Sequence, residues 1–148
     1  METRKIARMG LLVALSMILS YVESLIPAFV AVPGVKVGLA NIVVIFALYT
    51  LGPIEALTVS LLRVILSSFL FGSVLSLLYS LSGALLSLGG MLLMKKVKIF
   101  STTAVSVTGG VLHNVGQILV ACLVLETDVL LYYLPVLILS GTITGAVI

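Results

Sequence analysis

Long apolar stretches alternate with short polar breaks along the whole chain. The breaks are "GP" at 52–53, "FGS" at 71–73, "KKVK" at 95–98 and "ETD" at 126–128. Glycine, proline and charge cluster there, as they do where a chain changes direction. The pattern predicts membrane-spanning helices over roughly 6–26, 37–52, 54–71, 73–94, 100–125 and 129–148. No stretch shows the period-two alternation that strands of a membrane barrel require. The first span stops at Pro27, and the loop "PAFVAVPGVK" follows. The second span is short, so a broken or re-entrant segment is the alternative there. The sixth is just long enough, about 30 Å at 1.5 Å per residue. It ends at Ile148 with no polar flank, which predicts a natural terminus further on.

Composition agrees with the pattern. The 148 residues are 61% hydrophobic and 9% charged, whereas a soluble domain is nearer one-quarter charged. The expectation is a single integral membrane domain over 1–148, all-α and polytopic. No small-residue cleavage site closes the first apolar segment, so no cleavable signal peptide is expected. The lone Cys122 lies within an apolar run and reads as a packing residue.

Charge adds orientation. Arg4, Lys5 and Arg8 precede the first span, and Lys95, Lys96 and Lys98 follow the fourth. Six spans put both clusters on one side, which basic residues assign to the cytoplasm together with the N-terminus. Glu23, Lys36, Glu126 and Asp128 then fall on the outer side.

Small residues mark close helix contacts. Ser76, Ser80, Gly83, Ser87 and Gly90 form one narrow stripe on the fourth span, and Gly141 and Gly145 form a GxxxG on the sixth. Internal packing is the plain reading of both. Ala7, Gly10 and Ala14 form a similar face on the first span, and this one is held open for contact with another protein.

The polar residues within the spans carry the candidate chemistry. Arg63 lies near the middle of its span, where a charge costs about 2.5–3.5 kcal/mol on insertion scales. Arginine does not shed its proton to escape that cost, so it must face a partner or a watery cavity. Ala56, Ser60, Arg63 and Ser67 form one small, polar stripe that should turn inward. The fifth span supplies "GGVLHNVGQIL", in which His113 and Gln117 share a face and Asn114 adjoins them. Lys36 and Asn41 enter the same outer half. Together Lys36, Asn41, Arg63, His113, Asn114 and Gln117 are the candidate lining of an outward-opening cavity with positive bias. Plain cross-helix hydrogen bonding is the alternative for the uncharged ones. No acid is expected at the depth of Arg63: Glu55 is about two turns deeper and Glu23 lies at the outer rim, reaching Arg63 only by side-chain length. An anionic ligand is therefore the expected counter-ion.

Several functions are excluded. No GxxxxGK[ST] is present, so the chain has no P-loop. Asp occurs once, at Asp128, so the acid clusters that hold metal against a diphosphate are missing. No catalytic residues, metal site or cofactor are expected, and no nucleic-acid partner.

"PGVKVGLANIVVIFALYTLGP", "SLLRVILSSFLFGS", "LYSLSGALLSL", "LHNVGQ" and "YYLPVLILSGTITG" resemble, in order and spacing, the heptaprenyl diphosphate synthase component I family, also called the Gx transporter family. That family is grouped with the substrate-binding S components of energy-coupling factor (ECF) transporters. The resemblance implies a six-helix S-component-like bundle that captures a small metabolite outside the cell, a flavin, a quinone precursor or an isoprenoid-like compound among the fitting anions. A transmembrane coupling protein and ATPase subunits would drive uptake. It implies that Gly10 and Ala14 meet the coupling protein, and that a Gly-rich turn or two follows Ile148. The synthase name implies the alternative, a non-catalytic membrane subunit of a prenyl synthase.

Overall fold

The computed structural model describes residues 2–25 and 38–147, and the regular structure among them is entirely helical. The helices are α1 (Glu2–Leu25), α2 (Asn41–Thr50), α3 (Pro53–Phe71), α4 (Val74–Val97), α5 (Thr102–Leu125) and α6 (Leu134–Ala146), with a 3₁₀ segment, Val129–Tyr133, leading into α6. Five of these segments are long and apolar enough to cross a membrane: those centred on α1, α3, α4 and α5, and the joined run Val129–Ala146. The chain is a multi-pass membrane protein.

The expected second span is, among the described residues, a shorter helix, nearer the broken-segment alternative. Its helix has 10 residues and is therefore about 15 Å long at 1.5 Å per residue, half of a hydrocarbon core of about 30 Å. The apolar run is genuine, but the helix starts at Asn41 and buries most of its surface in protein.

Local sequence sets the helix ends. Ser73 and Ser101 cap α4 and α5, each hydroxyl accepting from the backbone N–H three residues on, at 3.2 Å. Pro53 opens α3, where its missing N–H costs nothing. Gly52 precedes it at φ 124°, open only to glycine without strain.

α5 is central, packed against α4 on one side and α6 on the other. Glycines permit both contacts. A Cβ on Gly116 would meet the Gly83 backbone at 2.9 Å, and one on Gly141 would meet the Gly110 carbonyl oxygen at 2.7 Å. In lipid, such close approach supplies the dispersion energy that holds helices together. The stripes on α4 and on the sixth span are thus internal packing, as the sequence implied.

α1 runs parallel to α3. Lys5 pairs with Glu55 at one end, and the Tyr21 and Phe71 rings lie 5.0 Å apart at the other. Lys95, near the end of α4, donates to the Leu48 carbonyl of α2 at 2.6 Å and lies 4.5 Å from the centre of the Tyr49 ring. A cation on the last carbonyls of a helix is favourably placed against its dipole. These contacts bring both basic clusters to one end of the bundle, here called the basic end.

Two apolar clusters result. One, around Val43, Val44, Leu48, Val59, Met91 and Val105, fills the basic half. The other, around Tyr79, Ile118, Ala121, Leu130 and Leu137, fills the far half. Most of the buried polar side chains lie between or beside them.

Candidate functional site

The inward stripe of α3 is as its spacing predicts: Ala56, Ser60, Arg63 and Ser67 are all buried. Arg63 is only 4% exposed. Its Nε and Nη2 have no hydrogen-bond partner among the described residues. Such donors are expensive to leave unmade in a protein interior, at about 1–3 kcal/mol and more for charged groups.

α5 presents His113 and Gln117 to α4. A Cβ on Gly83 would lie 3.0 Å from both His113 Nδ1 and Gln117 Cγ. Gly38 closes on the other edge of the imidazole, where a Cβ would meet Cδ2 at 3.3 Å. The Gly38 N–H donates to Glu23 Oε1. Glu23 in turn lies close enough to Arg63 for their charges to interact. Arg63, Glu23, Gly38, His113 and Gln117 thus form one buried group drawn from α1, α3, α5 and the approach to α2.

Glu23, near the end of α1, is buried, and its charge acts on Arg63, as the alternative of reach by side-chain length allowed. The cause is its place on the inner stripe of α1: Leu12, Ser16, Ser20 and Glu23 follow i, i+4, i+8 and i+11 and are all buried. That stripe was legible in the sequence and carries the same small-polar signature as the one on α3.

Other candidates separate from this group. Asn41 Nδ2 donates to Ser87 Oγ at 3.1 Å, tying the start of α2 to α4. Asn114 Nδ2 donates to the Leu137 carbonyl at 2.7 Å, tying α5 to α6. One residue along a helix is about 100° around it, which is why Asn114 leaves the face of His113. Lys36 lies outside the described residues. Ala7, Gly10 and Ala14 are exposed on α1, and a Cβ on Gly10 meets nothing within 4 Å.

Several serines carry buried hydroxyls, Ser76 and Ser80 of the α4 stripe among them. Ser20, Ser68, Ser76 and Ser80 are buried with no hydrogen-bond partner for Oγ among the described residues. With Arg63, they supply donors from α1, α3 and α4.

Residues 12–148 match the family model described as heptaprenyl diphosphate synthase component I. The chain belongs to that family. Component I is the non-catalytic part of the synthase, so catalysis is not assigned to this chain. Searches among curated proteins and among solved structures give no significant match.

Proposed function

We propose that this chain is the membrane-embedded, non-catalytic component that accompanies a prenyl diphosphate synthase, and that its buried polar group holds an anionic, phosphate-bearing ligand. The observation that carries the binding role is Arg63: buried, charged, and with two donor nitrogens, Nε and Nη2, that have no partner among the described residues. Glu23 offsets part of the charge but leaves those donors unused. A phosphate oxygen accepts from them in the forked geometry that guanidinium favours. His113 and Gln117 complete the contact side, with Lys36 as a further proposed contact. Asn41 and Asn114 serve in this reading as cross-helix fasteners. The family's description supports the partner, a synthase subunit bearing the metal-binding acids that this chain lacks.

A second reading is favoured by one observation. The Ala7, Gly10 and Ala14 face of α1 is exposed and open, as it would be on an S component of an ECF-type transporter that docks on a coupling protein and its ATPases. Purification from membranes in mild detergent, with mass spectrometry of both protein and small-molecule partners, tests the two. Recovery of a prenyl synthase subunit supports the first reading. Recovery of ATPase subunits with a coupling protein replaces it with the second. Unfolding temperature measured with and without farnesyl diphosphate tests the binding role, which requires a rise that Arg63→Lys reduces.

A further inference from the structure

A trench runs between α1 and α2 at the basic end, away from Arg63. It encloses about 290 Å³ and is lined by Arg8, Leu11, Leu12, Phe46, Thr50 and Leu51. α1 lies along α3 beside it, from Lys5–Glu55 to Tyr21–Phe71. Buried Leu12 lies at its base, and exposed Leu11 and Phe46 stand at its sides. Thr50 contributes no free donor, since its hydroxyl is spent on the Phe46 carbonyl at 2.7 Å.

The polarity of the trench is graded. Arg8 is exposed and stands about 9 Å along α1 from Glu2, at 1.5 Å per residue. The leucines begin about one turn deeper. Arg4 is one turn above Arg8 on the same side of the helix and is also exposed. Their neighbour Lys5 is neutralised by Glu55, the ion pair of this end among the described residues. Arg8 therefore offers a cation with no ion-pair partner among the described residues, at headgroup level, with a hydrocarbon slot directly beneath it. We propose that the trench is a site for an anionic membrane phospholipid, its phosphate at Arg8 and Arg4 and one acyl chain laid along Leu11, Leu12, Phe46 and Leu51. A neutral lipid fills the slot equally well but gains nothing from the arginines, and surface arginines are what favour anionic headgroups.

Native mass spectrometry of detergent-released protein tests this, with equimolar phosphatidylglycerol and phosphatidylethanolamine added. The wild type should retain phosphatidylglycerol with roughly five-fold preference. Arg8→Gln should lose most of that preference while Lys96→Gln, an exposed cation outside the trench, keeps it. Phe46→Ala should shorten retention of both lipids and leave their ratio unchanged. Equal retention by the wild type, or an undiminished preference in Arg8→Gln, overturns the proposal. So does displacement of the phospholipid from the trench by equimolar farnesyl diphosphate, which would assign the slot to a soluble prenyl ligand.

Discussion

Gly38 stands edge-on to the His113 imidazole, so close that a Cβ at this position would lie 3.3 Å from Cδ2. Its φ is 95°, outside the range that side chains accept readily. Its N–H also donates to Glu23. One glycine thus joins a carboxylate on α1 to an imidazole on α5.

Gly38→Ala should lower thermal stability in detergent, through backbone strain of about 1–3 kcal/mol and through contact with His113. In the double variant Gly38→Ala/His113→Ala the contact part should vanish and the strain part remain. Equal stability of Gly38→Ala and wild type would refute the geometry.

Arg63 and Glu23 are predicted to be coupled. Arg63→Met leaves a buried carboxylate without its nearby cation and should cost on the order of 2 kcal/mol, less than the 3–5 kcal/mol of a broken contact pair. Adding Glu23→Gln should recover most of that. Arg63→Lys keeps the charge and should be close to wild type when empty, yet bind a diphosphate more weakly because the planar fork is gone. Thermal unfolding of each variant, with and without farnesyl diphosphate, separates the structural from the binding role. Wild-type binding by Arg63→Lys would remove Arg63 from the ligand site.

Glycines should divide sharply by position. Gly110→Val forces a side chain onto the Gly141 carbonyl of α6, and overpacking of that kind costs about 1–3 kcal/mol or more. At Gly10 an added Cβ meets nothing within 4 Å among the described residues, so Gly10→Leu is expected to be accommodated. It should leave the unfolding temperature unchanged while blocking recovery of any partner that docks on α1. A drop in stability for Gly10→Leu would show that this face packs internally.

Sidedness is checked by labelling. With Cys122 replaced by Ser, a cysteine at position 97 should resist an impermeant reagent in intact cells and one at position 127 should react. The opposite pattern would reverse the expected orientation, although the two basic clusters would still share one end.

Much of this was legible in the sequence because helix length and face are set by local spacing. α3, α4 and α5 begin and end within a few residues of the polar breaks. The inward turn of Arg63 followed from the serines around it. α2 was less legible because an apolar run looks the same whether lipid or protein covers it. The reach of Glu23 to Arg63 was legible as an alternative, but its burial was not, because a carboxylate near a helix end is normally solvated and only the fold brings Gly38 to it. Asn114 was grouped with His113 by sequence proximity, and the rotation of the helix sends it to α6 instead.

The shortness of α2 has a consequence for how the protein is made. Ten residues cannot settle across a bilayer alone, because both chain ends would be dragged into hydrocarbon. Two polar ties of α2 arrive later in synthesis: Ser87 for its first residue and Lys95 for its last carbonyls. α2 packs chiefly against α3 and α1, so most of its apolar seat is in place once α3 has followed it, and α4 then adds the two polar ties. A chain halted before Lys95 would leave the last carbonyls of α2 without their cation.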